Sequence, residues 1–306
     1  MRIIKDTNVD FMSKSHLTRI LSLSIISFGI ISLFINNGPK LSIDFIGGTL
    51  IAVNYTDEIN INDVRSSMED VEIEGQNYDF STAEIKHFGD LSNVAFRITS
   101  LENEPENFTK SLIDKMSSLY PSLVPENKDD FILAIEKVGP KIGAELRGDA
   151  VMAIFSALIL ILIYITIRFE LKYAVGAIAA LAHDVIITLG IFSLFGFEIS
   201  LAVIAAFLTI VGYSLNDTIV IFDRIRENSK MLKNSTLITV INQSINDSLS
   251  RTIVTSLTTF FVVLILFLFG GEVLNTFSFA MIIGIIIGTY SSIFVASPVV
   301  IYMDKN

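Results

Sequence analysis

Six stretches of this sequence stay apolar over the length needed to cross a bilayer: Leu17–Ile35, Ala150–Ile167, Tyr173–Phe195, Ile199–Phe222, Thr252–Phe269 and Phe277–Tyr302. A hydrocarbon layer of about 30 Å takes roughly 17–25 residues of helix. Within it, backbone groups must be satisfied inside the segment itself. Six such runs predict a polytopic α-helical membrane protein with six transmembrane helices. Between the first and second runs the composition is that of a soluble domain. The expected plan is a tail over 1–16, a first helix over 17–35, a domain and hinge over 36–149, a five-helix bundle over 150–302 and a tail over 303–306. A signal peptide is the competing reading of the first run. No small-residue cleavage pattern follows it, and Asn36-Asn37-Gly38-Pro39 reads as a turn, so an uncleaved anchor is expected.

Charge sets the expected orientation. The formal net charge is −10. Residues 36–149 hold 10 Lys/Arg against 21 Asp/Glu, leaving 12 basic and 11 acidic residues elsewhere. Those basic residues cluster at Arg2–Arg19, Arg168–Lys172, Arg224–Arg251 and Lys305, whereas the short loops at Gly196–Glu198 and Gly270–Asn275 carry none. Cytoplasmic loops are the basic ones. Both termini are therefore expected in the cytoplasm, with the acidic domain outside the cytoplasmic membrane.

Several functions are excluded at this level. There is no Cys, hence no disulfide, thiolate zinc site, iron–sulfur cluster or cysteine nucleophile. His16, His87 and His183 lie too far apart in sequence to suggest a metal set. No phosphate-binding loop of the G-x-x-x-x-G-K-[ST] type occurs. So acidic a chain is not expected to bind nucleic acid. Neither a cofactor nor an enzymatic activity is expected.

The domain reads as an ordered alternation. Ser42–Tyr55 is strand-like with a bend at Gly47-Gly48, and Asn62 caps a helix to about Val71. Thr82–Phe88 and Asn93–Thr99 form a hairpin around Gly89-Asp90-Leu91-Ser92. Pro105–Leu119 is a helix with Phe108, Leu112, Ile113 and Met116 on one face, and Phe131–Val138 closes as a strand. The order β-α-β-β-α-β predicts an inserted α+β ferredoxin-like fold, with His87 structural. Gly139-Pro140-Lys141-Ile142-Gly143 is expected to be a hinge into the second span.

Ionisable residues inside apolar runs carry the functional expectation, because a charge near the bilayer centre costs at least about 2.5–3.5 kcal/mol. Asp217 falls in the fourth run, within a stripe Thr209, Tyr213, Asn216, Asp217 that is expected to face the bundle. Arg251 opens the fifth run, in a similar stripe with Thr255, Thr258 and Thr259. The two residues are equidistant from the polar segment at Asn234, so they are expected at one depth. Burial favours the neutral form of a carboxyl and a nearby guanidinium favours the charged form, so a changing separation loads or releases a proton. A static ion pair is the competing reading. Ser214, Asn216, Thr218 and Thr255 are candidate relay groups. His183-Asp184 is a second polar site, and since neighbours on a helix diverge by about 100°, one of the two is expected to face the bundle with Thr188. Gly284-x-x-x-Gly288 suggests close helix packing.

Taken in order, several segments resemble the SecF family, the smaller membrane subunits of SecD–SecF protein-export complexes, which are related to the RND transporters. They are Ile43-Asp44-Phe45-Ile46-Gly47-Gly48-Thr49, Val138–Gly143, Arg168-Phe169-Glu170, Ala182-His183-Asp184, Val211–Asn228 and Ser250–Thr259. The resemblance implies SecD as a partner, docking to the SecYEG channel, and proton flow that helps a preprotein complete translocation. It also places Asp217 and Arg251 at the positions implicated in proton coupling. Two competing readings are a structural subunit that carries no protons and a stand-alone RND-type exporter. One domain and six spans make only half of the two-lobed exporter plan.

Overall fold

The computed structural model describes residues 7–81, 83–101, 104–127 and 130–304. Thr82, expected to open a strand, and the tail ends at 1–6 and 305–306 lie outside the described residues. In chain order the elements are α1 (Ser15–Ile35), α2 (Ile43–Ile46), β1 (Gly48–Asn54), α3 (Ile61–Ser67), β2 (Val71–Ile73), β3 (Gln76–Tyr78), β4 (Glu84–Phe88), β5 (Asp90–Thr99), α4 (Phe108–Leu119) and β6 (Ile132–Val138). There follow α5 (Pro140–Arg168), α6 (Leu171–Phe195), α7 (Leu201–Met231), α8 (Leu237–Phe269), α9 (Gly271–Ser291), a π-helical turn at Ser292–Ala296 and α10 (Ser297–Asp304). Contacts divide the chain into two compact units, Leu41–Ala150 and Met1–Lys40 with Val151–Asn306.

The smaller unit is built on a four-stranded antiparallel sheet ordered β4-β5-β1-β6. With β1, β4, β5 and β6 as its four strands, this is the ferredoxin-like arrangement. Alternation along β1 separates two packed faces. Ile51 and Val53 meet Val94, Phe96 and Ile98 of β5, with Val64 of α3 and Phe108, Leu112 and Met116 of α4 packed over them. Leu50 and Ala52 turn to the other face, against Ile43 and Ala95.

Local chemistry moved several boundaries. Ser42 does not open a strand: its hydroxyl accepts from Asp44 N at 3.3 Å and caps the single turn of α2. The cap of α3 is Asn60 rather than Asn62, its side chain accepting from Asn62 N at 3.0 Å. That helix stops at Ser67, and Val71 instead begins the β2–β3 hairpin, which the sequence reading missed. Its turn residues Glu74 and Gly75 both have positive φ, 52° and 80°, the combination that matches hairpin twist. Helix α4 starts at Phe108, with Pro105 in the turn before it.

Gly47 (φ 76°) explains one motif. A Cβ there would stand 2.8 Å from Pro140 Cα, and a Cβ on Gly143 would stand 3.0 Å from Gly47 N. Gly47 and the Gly139–Gly143 segment thus pack backbone to backbone, and Pro140 is the first residue of α5, where its missing N–H costs nothing.

The larger unit contains six helices long and apolar enough to cross a membrane. Helices α6, α7 and the last span, Leu274–Asp304, are each about half buried, while α1, α5 and α8 expose most of their surface. Phe28, Phe155 and Phe261 are among the exposed side chains, as expected for helices that face lipid or other helices. Helices α7 and α8 run well past the apolar windows, with only residues 232–236 between them. Asn228 Nδ2 ties the extensions together, donating to Ser244 Oγ and Asp247 Oδ2 at 3.0 Å. The segment before α1 docks there too, because Asn242 Oδ1 accepts from Phe11 N and Met12 N, and Asn246 exchanges two hydrogen bonds with the Val9 backbone.

Tyr55 gives the smaller unit a pH dependence. It is buried and donates to Met116 O at 2.7 Å. Burial pushes its phenol above the ordinary tyrosine range, and Tyr120 adds to the shift. Folding therefore favours the neutral phenol. The contribution is complete below the unfolded value of about 10 and is lost as pH rises beyond it. Denaturation of the full chain, followed by tyrosinate absorbance, should show stability falling above about pH 10. Tyr55→Phe should flatten that fall and cost about 1 kcal/mol at neutral pH.

Candidate functional site

A polar layer crosses the middle of the membrane unit, and Asp184 is its centre. The side chain is 1% exposed. Its Oδ2 accepts from Ser214 Oγ of α7 at 2.6 Å and from Ser291 Oγ of α9 at 2.8 Å. Its Oδ1 lies 2.9 Å from His183 Nδ1. The imidazole, also buried, reaches Ser22 Oγ of α1 at 3.0 Å through Nε2, and Ser22 lies 2.9 Å from Tyr290 Oη. Tyr290 donates to Thr18 O at 2.8 Å and stacks on the imidazole, ring centroids 5.9 Å apart. One carboxylate thus joins four helices through hydroxyl and imidazole groups.

The expectation that only one of His183 and Asp184 faces the bundle is corrected. Helix α6 is packed by α1 on one side and by α7 and α9 on others, so side chains about 100° apart both find protein. Close contact makes this possible. Cα atoms meet where Gly29 crosses Gly190, since a Cβ on either would lie within 3 Å of the other residue. Ser32 and Ser193 bond at 2.9 Å farther along the same seam. Gly284 and Gly288 play the same part for α7: Ile210 fills the space beside the first and Ser214 beside the second. Thr188 returns its hydroxyl to Asp184 O at 2.8 Å.

Asp217 forms a separate, sparser site. It is buried, and its one hydrogen bond comes from Ser256 Oγ at 3.3 Å. Ser256 in turn bonds Thr289 Oγ1 at 2.8 Å. Arg251 is exposed, and among the described residues no ion pair within 4.0 Å joins it to Asp217. The expected common depth is corrected by the hairpin register. Contacts Asn228–Ser244 and Asp217–Ser256 place the pivot near residue 236, where Thr236 caps α8, rather than at Asn234. Arg251 is therefore five residues, about 7.5 Å along the axis, nearer the loop than the partner of Asp217.

The polar stripes also point differently than expected. On α7 the buried face carries Ile210, Ser214, Asp217, Thr218 and Ile221, whereas Thr209 and Asn216 are exposed. On α8 it carries Ser248, Thr252 and Ser256 rather than Thr255, Thr258 and Thr259. Those threonines, like Thr209, bond carbonyls of their own helix at 2.7–3.0 Å. A back-bonded hydroxyl needs no partner helix, so it carries no information about facing. Of the expected relay residues, Ser214 joins the Asp184 site and Thr218 bonds Ser214 O, but Asn216 and Thr255 join neither carboxylate. Ser22, Ser256, Thr289, Tyr290 and Ser291 were missed. The stripe Ser22, Gly29, Ser32 on α1 was a readable signal for the first of them.

The sequence and structure have close relatives. A family model described as protein export membrane protein SecD/SecF, C-terminal, matches residues 122–306. A protein translocase subunit SecF from Calditerrivibrio nitroreducens is 45% identical, covering 100% of this chain and 97% of that protein. Another from Rhodothermus marinus is 42% identical, covering 98% and 95%. The crystal structure of SecDF, a translocon-associated membrane protein from Thermus thermophilus, superposes with a TM-score of 0.84 at 38% identity. It covers 98% of this chain, which spans only 39% of the SecDF chain.

The two carboxylates should respond differently to truncation. Asp184→Ala leaves several buried donors unpaired and should lower the stability of the detergent-solubilised chain by about 3 kcal/mol or more. Asp217→Ala loses one long bond and should cost about 1 kcal/mol or less. Thermal unfolding of both variants checks the contrast.

Proposed function

The chain belongs to the SecD/SecF family of protein-export membrane proteins, and on that premise we propose that it is a SecF subunit that acts with SecD beside the SecYEG channel, using proton movement to help preproteins across the cytoplasmic membrane. Basic loops at one end of the bundle support an orientation with both termini cytoplasmic and residues 36–149 outside. SecD supplies the second set of spans, and the mostly exposed faces of α1, α5 and α8 leave ample apolar surface for it and for lipid.

The observation that carries the reading is Asp217: a buried carboxyl halfway along a membrane-spanning helix, with one hydroxyl at 3.3 Å and no cation beside it. So little polar contact is poor solvation for a charge, whereas a protonated carboxyl needs little more. Arg251 waits about a turn away on the neighbouring helix. Sliding or turning α8 against α7 brings the guanidinium to the carboxylate and drives the proton off, and separation lets one return. The static ion pair, the competing role for these residues, finds no support in this geometry. Gly139, Pro140 and Gly143 are proposed to transmit bundle movement to the outer domain, with Gly139 as the one non-helical residue between β6 and α5.

Asp217→Asn and Arg251→Ala, each in chain that still assembles with SecD, should reduce proton-gradient-dependent export at least about tenfold, while export driven by ATP alone is spared. Export that stays at the unaltered level in both variants would sink the proposal.

A further inference from the structure

The chain of contacts at His183 holds one proton more than its neutral groups supply. Four contacts lie in series: Tyr290 Oη to Thr18 O at 2.8 Å, Ser22 Oγ to Tyr290 Oη at 2.9 Å, His183 Nε2 to Ser22 Oγ at 3.0 Å, and His183 Nδ1 to Asp184 Oδ1 at 2.9 Å. Each needs one hydrogen between its two heavy atoms. A tyrosine hydroxyl, a serine hydroxyl and a neutral imidazole bring three in all, and an ionised Asp184 brings none. Direction is fixed from one end, because a carbonyl only accepts. Tyr290 must spend its hydrogen on Thr18 O, so Ser22 must donate to Tyr290. Nε2 must then donate to Ser22, and the Nδ1–Oδ1 contact requires a fourth proton. Whether that proton rests on the ring or on Asp184, the pair is neutral overall, which suits a fully buried place between helices.

We propose that the His183–Asp184 pair is a second proton-binding site of the membrane unit, distinct from Asp217, and that its proton fixes the hydrogen bonds that tie α6 to α1 and α9. Loss of that proton leaves three hydrogens for four contacts. Either Nδ1 faces the carboxylate bare, or the ring hydrogen moves to Nδ1 and Ser22 must release Tyr290 to serve Nε2. One link between helices is lost in both cases. Access exists: Ser22 and His183 form part of the wall of a cavity of about 760 Å³ whose polar end is lined by Asp10, Ser13, Ser15 and Arg19. The groups that face the pair are Ser22 from α1, Ser214 from α7, and Tyr290 and Ser291 from α9, with Asp10 and Arg19 the charged residues along the cavity. Asp217 lies one helical turn beyond Ser214 on α7. This deepens the proton-coupled reading above and rests on it for its purpose, though not for its test.

That test is nitrogen NMR of the full chain in lipid bilayers with labelled histidine. With three histidines in the sequence, the His183 signals are assigned by replacing His16 and His87. The expected result at neutral pH is a protonated Nε2, together with a proton on either Nδ1 or the Asp184 carboxyl. Tyr290→Phe removes the acceptor that occupies the Ser22 hydrogen. Rings with a bare Nε2 should then become about tenfold more frequent, one hydrogen bond's worth. A bare Nε2 at neutral pH in the unaltered chain would overturn the proposal, as would a ring state that Tyr290→Phe leaves unchanged. Unimpaired export in Asp217→Asn would overturn the proton-coupling reading without touching this spectrum, so the two ideas fail separately.

Discussion

The packing of the membrane unit depends on a carboxylate that cannot be left alone. An ionised group buried among helices costs several kcal/mol unless its lone pairs are met, and at Asp184 they are met by groups from three other elements. Ser214 and Ser291 saturate one oxygen, and His183 carries the other on to Ser22 and Tyr290. These partners can reach it only because the helices are close. Gly29 against Gly190, and Gly284 and Gly288 against Ile210 and Ser214, are the contacts that allow the approach. Small residues and the buried carboxylate therefore form one device: glycine brings the backbones near, and the hydrogen bonds fix the register.

Much of this was legible in the sequence at the level of depth and little at the level of facing. Hydropathy located all six spans, because length and apolarity are what the bilayer selects. Asp217 and the His183-Asp184 pair stood out because nothing lipid-facing needs them. Facing was misjudged for a specific reason. Thr209, Thr255, Thr258 and Thr259 follow a helical period that looks like a polar seam, yet each satisfies its hydroxyl on its own backbone. The true seam on α7 lies one position on, at Ile210, Ser214 and Asp217, and mixes apolar with polar side chains. Depth across the α7–α8 hairpin was misjudged by its register, which a cap at Thr236 set and hydropathy does not report.

The outer unit repeats the lesson in a soluble setting. The β-α-β-β-α-β order followed from periodicity, since alternation in β1 and the Phe108, Leu112, Met116 face of α4 are both driven by burial. What escaped were features fixed by single side-chain or backbone choices. Ser42 and Asn60 moved two starts, and the positive φ angles of Glu74 and Gly75 made a hairpin out of a stretch expected to finish a helix.

The contrast between the two acidic sites bears on where movement is cheap. Ser214 belongs to both surroundings: its hydroxyl holds Asp184, its Cβ packs on Gly288, and Asp217 follows one turn later on the same face. Displacing α7 from α6 or α9 therefore breaks a 2.6 Å bond to a buried carboxylate and opens glycine-close packing. Displacing α8 from α7 at the level of Asp217 breaks one 3.3 Å bond, and the back-bonded threonines of α8 lose nothing. In a layer this polar, the helix pair with the weakest mutual bonds is the one able to slide. Arg251 sits on the sliding helix, exposed and without a carboxylate beside it among the described residues. A cation on the mobile element and a carboxyl on the anchored one is the arrangement that turns a small shift between helices into the gain or loss of a proton.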